Sequence, residues 1–207
     1  MIPIHLATED QLSEAVLRRL LSHASRGYWV GNVYGRSGFG YLRKTIAGWN
    51  QSARSQPFLV LTDLDDADCP MSLIEKWLPL PRHPNLLFRI AVREVESWLL
   101  ADSERLPEFL RVSSRRIPSE PDGLVDAKQT LIELARTSRS PEIRGRIVPR
   151  PGSTAKQGPD YNACLKTFVA NHWSIDRARS NSGSLERTVR RLAAFEPVWP
   201  EKVSPKA

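Results

Sequence analysis

The stretch "PFLVLTDLDDADCP" (residues 57–70) decides how the rest of the chain is read. Phe58, Leu59, Val60 and Leu61 read as a short apolar strand, and Asp63, Asp65, Asp66 and Asp68 then fall within six positions. Carboxylates crowded this closely repel one another, which costs stability unless a cation sits among them. The competing reading is a solvated turn, because Asp caps helices and closes Asx-turns. What lies at the ends of the other strands separates the two.

On the amino-terminal side, "IPIHLA" (2–7) reads as a first strand. "EDQLSEAVLRRLLSHA" (9–24) reads as an amphipathic helix with Leu12, Ala15, Val16 and Leu20 at helical spacing. A second strand is expected over Tyr28–Gly35, a loop at "SGFG" (37–40), and a helix over 41–53 weakened by Gly48. Beyond the third strand, a helix starts at "CPMSLIEKWL" (69–78) with Pro70 near its first turn. "NLLFRIAV" (85–92) is a fourth strand, and "EVESWLLAD" (94–102) leads into a further helix. Strands alternating with helices predict an α/β fold with a mainly parallel sheet flanked by helices.

After about residue 105 the pattern changes. A loop is expected over 111–123, a helix over 124–138 and a Pro/Gly-interrupted basic segment over 146–160. Helices follow over 161–173 and 184–195, and a tail over 200–207. The expected organisation is an α/β core, residues 1–105, and a basic, mostly helical region, residues 106–207, packed on it.

Composition narrows the class. The 207 residues, 41% hydrophobic and 26% charged, can bury a sizeable core. No apolar run approaches the roughly 20 residues that span a bilayer, and "MIPIHLATED" has no basic-then-apolar leader pattern. Cys69 and Cys164, the two cysteines, have no metal-knuckle spacing, which predicts a reducing, cytoplasmic setting. Residues 1–105 hold 12 basic and 12 acidic groups, so the net charge of +7 belongs to residues 106–207, with 18 and 11. There Arg136, Arg139, Arg144, Arg146, Arg150 and Lys156 face only Glu142 in the sequence. Such a tract either binds a polyanion, DNA or RNA, or is a solubilising surface.

In a parallel sheet the functional crevice opens at the strands' carboxyl ends. Glu9 and Asp10 follow the first strand, Asp63, Asp65 and Asp66 the third, and Glu94 and Glu96 the fourth. Three acidic clusters at three strand ends favour the cation reading. Mg²⁺, with Mn²⁺ as a substitute, takes oxygen ligands and keeps several waters, so a few carboxylates from separate loops suffice. Asp63 and Asp65 point the same way if the strand continues between them. Glu9 would be a further ligand or a general base, and Glu96 would complete a second site. Two metals would stabilise the attacking and leaving oxygens of a phosphodiester displacement, and Lys156 or an Arg of the basic segment would neutralise the developing phosphate charge.

Several residues carry two readings. Glu14 is a second-site ligand or an ion-pair partner of Arg18, four residues on. Trp98, Leu99 and Leu100 are core or a stacking platform, and Tyr161 and Asn162 touch nucleic acid or begin a helix. The four histidines show no zinc spacing, and "GNVYGRSGFG" lacks a phosphate-loop Lys-Ser/Thr.

Glu9 after "IPIHLAT", the amphipathic helix behind it, and Asp63-Leu64-Asp65 after "FLVLT" together resemble the Toprim domain of topoisomerases, bacterial primases and the overcoming-lysogenization-defect nucleases. "REVESWLLAD" and "KQGPDYN…SGSL" look like an uncharacterised bacterial family of Toprim-like proteins, with the resemblance covering most of the chain. Asp10 stands where Toprim domains usually have Gly after the first Glu. The resemblance implies a Mg²⁺-dependent nuclease, and with the residue chemistry above the expected catalytic set is Glu9, Asp63, Asp65 and Lys156 and the expected metal set Glu9, Asp63, Asp65 and Glu96. Arg136, Arg139, Arg144, Arg146 and Arg150 would contact nucleic acid. It also implies a place in phage defence or a toxin-like system, beside a partner ATPase or defence subunit and away from membranes. The alternative is a non-catalytic nucleic-acid-binding or regulatory subunit that keeps the fold; nucleotidyl transfer is a third reading, with no nucleotide pocket evident.

Overall fold

Each apolar strand run is followed by a helix long enough to carry the chain back across the sheet, so successive strands enter from the same end and pair in parallel. The computed structural model describes residues 1–35 and 38–199 and bears this out. The strands are β1 (Ile2–Thr8), β2 (Tyr28–Gly35), β3 (Phe58–Asp63) and β4 (Leu86–Ala91). They form one sheet in the order β2-β1-β3-β4, parallel throughout. Helices α1 (Gln11–His23), α2 (Phe39–Ser52) and α3 (Pro70–Trp77) connect them. The loop expected at 37–40 gives way to helix at Phe39; Ser37 itself and the expected tail, 200–207, lie outside the described residues.

Side chains alternate across a strand, and each face of the sheet has its own cover. Ala7, Phe58, Val60, Phe88 and Ile90 pack on Leu42, Ile46 and Trp49 of α2 and on Leu73 and Trp77 of α3. Ile4, Leu6, Leu59, Leu61 and Leu87 face the opposite way and enter a larger cluster with α1. That cluster continues into α4 (Val95–Leu100), α5 (Arg105–Leu110), α6 (Ala127–Arg136), α7 (Pro141–Ile147), α8 (Tyr161–Asn171), α9 (Ile175–Asn181) and α10 (Gly183–Ala193). One hydrophobic cluster therefore draws on both the 1–105 and the 106–207 ranges, and α1 packs directly on α8.

The short helices α5, α7 and α9 were not expected, and the expected loop at 111–123 contains two 3₁₀ turns, Ser114–Arg116 and Pro121–Gly123. Ser140 caps α7 by accepting the Ile143 N–H, and Pro141 starts it. Gly35 ends β2 at φ 106°, where a Cβ would stand 2.0 Å from the Thr8 carbonyl oxygen, so only glycine fits that approach. Among the described residues no helix is long and apolar enough to cross a membrane.

Trp98, Leu99 and Leu100 are core, each 0% exposed. The Trp98 indole N–H donates to Ser184 Oγ at 2.7 Å, and its carbonyl accepts from the Trp173 indole at 3.3 Å, tying α4 to the carboxy-terminal helices. Trp98→Ala should destabilise the fold by about 3–5 kcal/mol, the usual range for a fully buried aromatic. Urea unfolding checks this; a loss below about 1 kcal/mol would contradict the central place given to this side chain.

Candidate functional site: an acidic cleft at the carboxyl end of the sheet

The ends of β1, β3 and β4 are held together by the carboxylates that follow them. Asp10 caps α1, accepting the Ser13 N–H at 2.8 Å. This leaves Glu9 in the turn between β1 and α1, pointing across to β3. Its Oε1 accepts from the Thr62 hydroxyl and, at 3.1 Å, from the Asp63 N–H. Asp63 in turn accepts the Val95 N–H at 2.9 Å, at the first turn of α4. The two carboxylates thus link three strand ends in sequence.

β3 stops at Asp63, and Asp65 has a left-handed backbone with φ 46°. Asp tolerates this region better than most residues. Asp63 and Asp65 therefore do not share a strand face, contrary to the expectation from alternation. Leu64 between them is buried, and its N–H is held by the carbonyls of Ala91 and Arg93 at 2.9 and 2.8 Å. The Asp65 N–H also reaches the Arg93 carbonyl, at 3.1 Å, and the Asp65 carbonyl accepts from the Arg93 guanidinium at 2.8 Å. The turn is fixed by backbone and leaves its carboxylates on the surface.

Glu96 lies deeper, 3% exposed. The Tyr161 hydroxyl donates to its Oε1 at 2.9 Å, and the Lys128 ammonium stands 3.6 Å from the same oxygen. The ammonium also lies 5.6 Å from the Tyr161 ring centre. The Lys128 backbone N–H donates to Glu94 at 2.8 Å, so the amino end of α6 is bound to both glutamates after β4. Of the two readings for Tyr161, the helix start is the one observed: it opens α8 and is buried. Glu14 pairs with Arg18 Nε at 2.9 Å.

The electrostatics follow from burial and crowding. Burial raises Glu9 above the usual carboxylate range, against the hydrogen bonds from Thr62 and Asp63. Asp63 is raised much further, first by burial and then by Glu96, Glu9, Asp10 and Asp65. Burial pushes Glu96 up to about 7, even though Lys128 opposes the rise. Burial pulls Lys128 down, but Glu96, Glu94, Asp10 and Asp63 outweigh it and hold the ammonium charged. Lys128 is the fixed cation of the cluster.

A cleft of about 780 Å³ opens beside Asp63, Asp65 and Asp66, and Arg43, Lys76 and Lys156 also line it. Lys156 thus joins the aspartates. Arg136, Arg139, Arg144, Arg146 and Arg150 do not line this cleft, and the tract they form is less bare than its sequence implies. Arg136 pairs with Glu133 at 3.1 Å, Arg146 with Glu142 at 3.5 Å, and Arg144 donates to the Ser138 carbonyl. Helical spacing supplies the unexpected partner, Glu133, which lies outside the counted tract.

Among the described residues, no group of three or more His, Cys, Asp or Glu side chains forms a ready metal-holding set. The donor chemistry fits a hard cation nonetheless: the charged oxygen donors of the cleft are carboxylates, and Mg²⁺ is often held by one or two of them, with waters and substrate phosphates completing the shell. Lys128 and Tyr161 were missed as members of the cluster. Each is more than 30 residues from the glutamate it contacts, and no local spacing marks either one. Comparison with family models, with curated proteins and with solved structures returns no match for this chain.

Carboxyls that hold protons more tightly in the folded than in the unfolded chain stabilise the fold at low pH and lose that contribution as pH rises. For Glu96 the window runs from its ordinary 4.5 to about 7. In EDTA, the stability advantage of the wild type over Glu96→Gln should therefore shrink as pH rises from 5 to 8, by several degrees in Tm. Thermal melts of both proteins across that range test this; parallel curves would contradict it.

Proposed function

We propose that this chain is a Toprim-like, Mg²⁺-dependent nuclease that hydrolyses phosphodiester bonds of DNA or RNA. The observation that carries the reading is the linkage of Glu9 and Asp63 across three strand ends, beside a cleft that pairs surface aspartates with Lys156, Arg43 and Lys76. Asp63 and Asp65 would hold the cation, with Glu9 as a further ligand or as a base. Once bound, it would polarise the phosphate and lower the pKa of a water. The chain's own groups do the rest. Thr62 and the Asp63 N–H both occupy Glu9 Oε1, which leaves Oε2 to take a proton from an attacking water. Lys156 and Arg43 would neutralise the non-bridging phosphate oxygens. Lys128 supplies a fixed positive charge where Glu96 was expected to hold a second metal, and this favours a single-cation site.

A second reading, a non-catalytic nucleic-acid-binding or regulatory subunit, draws on two observations: the described residues form no ready metal set, and Lys128 already balances Glu96. Both readings place the chain in the cytoplasm, in keeping with its two free cysteines. A role in phage defence, with a partner ATPase, belongs to the Toprim resemblance alone.

Two measurements test the nuclease. Mn²⁺ should raise the Tm of the wild type but not of Asp63→Ala, since a ligand bound only by the folded state stabilises it. The purified protein should cut DNA or RNA in Mn²⁺ and not in EDTA. Asp65→Asn should lower the cutting rate at least about 100-fold while binding persists or tightens, because a carboxylate without its metal repels phosphate. Binding without cutting by the wild type would leave the subunit reading.

The basic tract gives a separate expectation. Arg146→Glu combined with Arg150→Glu should weaken binding to all sequences alike and flatten its salt dependence. An unchanged salt slope in a filter-binding titration would move the nucleic-acid surface elsewhere.

A further inference from the structure

β4 is an outer strand of the sheet, and among the described residues the pocket on its flank is lined by arginines and by no acid. Arg82, Arg89 and Arg191 line one pocket of about 250 Å³ together with His83, Pro84 and Phe88. Arg89 leaves the middle of β4 toward α10, where its Nε donates to Thr188 Oγ1 at 3.3 Å. Arg191 reaches the Pro84 carbonyl at 3.5 Å, and its guanidinium lies 5.8 Å from the Phe195 ring centre. His83 Nδ1 accepts the Asn85 N–H at 3.2 Å, so the neutral ring carries its proton on Nε2, as a further donor.

Among the described residues none of these arginines pairs with a carboxylate. Glu186, the one acid of α10, is held by Arg179 at 2.6 Å. Burial, and after it the charges of Arg82, Arg187 and Arg191, press Arg89 down to about 10. Arg82 is lowered by burial and by Arg191. Arg18, Arg177, Arg105 and Arg136, by contrast, each pair with a glutamate: Glu14, Glu104, Glu108 and Glu133. Like charges gathered around a half-buried guanidinium cost free energy unless an anion joins them.

We propose that this pocket is an oxyanion site that binds a phosphate group through Arg82, Arg89 and Arg191. Guanidinium forks match phosphate oxygens in pairs, and several of them converging give both charge and orientation. The pocket is smaller than the about 300–1,000 Å³ of sites that enclose whole small molecules, so it suits a phosphate or pyrophosphate group. It opens on the flank of β4 near the strand's amino end, whereas the acidic cleft lies at the carboxyl ends of the strands. The site stands whether or not that cleft is catalytic.

The test uses the full chain in EDTA, with two probes: sodium pyrophosphate, and a single-stranded oligonucleotide of about 12 nucleotides. Pyrophosphate should raise the Tm of the wild type and of the control Arg177→Ala. The Arg82→Ala, Arg191→Ala double variant, altered at exposed positions only, should bind it at least tenfold more weakly. Arg89→Met should melt no lower than the wild type in anion-free buffer, since a half-buried charge without a counter-charge is gone. Oligonucleotide binding that pyrophosphate displaces identifies a phosphodiester as the ligand; binding of pyrophosphate alone identifies a small free phosphate. No stabilisation by either probe, or equal binding by the double variant and the wild type, overturns the proposal.

Discussion

Repulsion among carboxylates is the constraint on which the carboxyl end of this sheet depends. Parallel strands deliver Glu9, Asp63 and Glu96 to one edge, where burial and mutual repulsion disfavour their charged forms. The chain answers in three ways. Backbone and hydroxyl donors hold Glu9 and Asp63, Lys128 and the Tyr161 hydroxyl hold Glu96, and the surplus charge is carried as raised proton affinity. The second answer draws α6 and α8 onto the α/β half, so the acidic edge and the helical half depend on each other.

The carboxyl end of the sheet and the flank of β4 gather charges of opposite sign without any long-range plan in the sequence. Acids follow strands because they cap and turn the chain there, as Asp10 does for α1. Arginines lie on the β4 flank because, among the described residues, that strand is at the sheet's outer edge, and a long side chain there can bury its stem and keep its head near water. Topology turns local preferences into a polarised molecule.

The α/β architecture could be read from the sequence because its signals are local. "FLVL" is a continuous apolar run with which β3 begins, and β2 begins and ends where the residue pattern places it. The edge at which Glu9, Asp63 and Glu96 meet followed from the parallel order alone. Other features could not be read. Helix α7 has seven residues with Gly145 inside, too few for periodicity to show. The orientation of Asp65 was misjudged because alternation holds only while the strand lasts, and the backbone turns left-handed two residues past its end. Lys128, Tyr161 and the meeting of Arg82 with Arg191 depend on contacts between distant segments, which no window of sequence contains.

The shared hydrophobic cluster also has a consequence for how the chain is made. Ile4, Leu6, Leu59, Leu61 and Leu87 present one face of the sheet to helices that end at Ala193, about 100 residues after β4. At roughly 5–20 residues per second, a ribosome needs on the order of 5–20 s to complete those helices. During that interval a nascent sheet, covered on one side by α2 and α3, has only α1 and α4 to cover the other. An apolar face left part-covered until α8 and the later helices emerge is where the unfinished chain is open to aggregation.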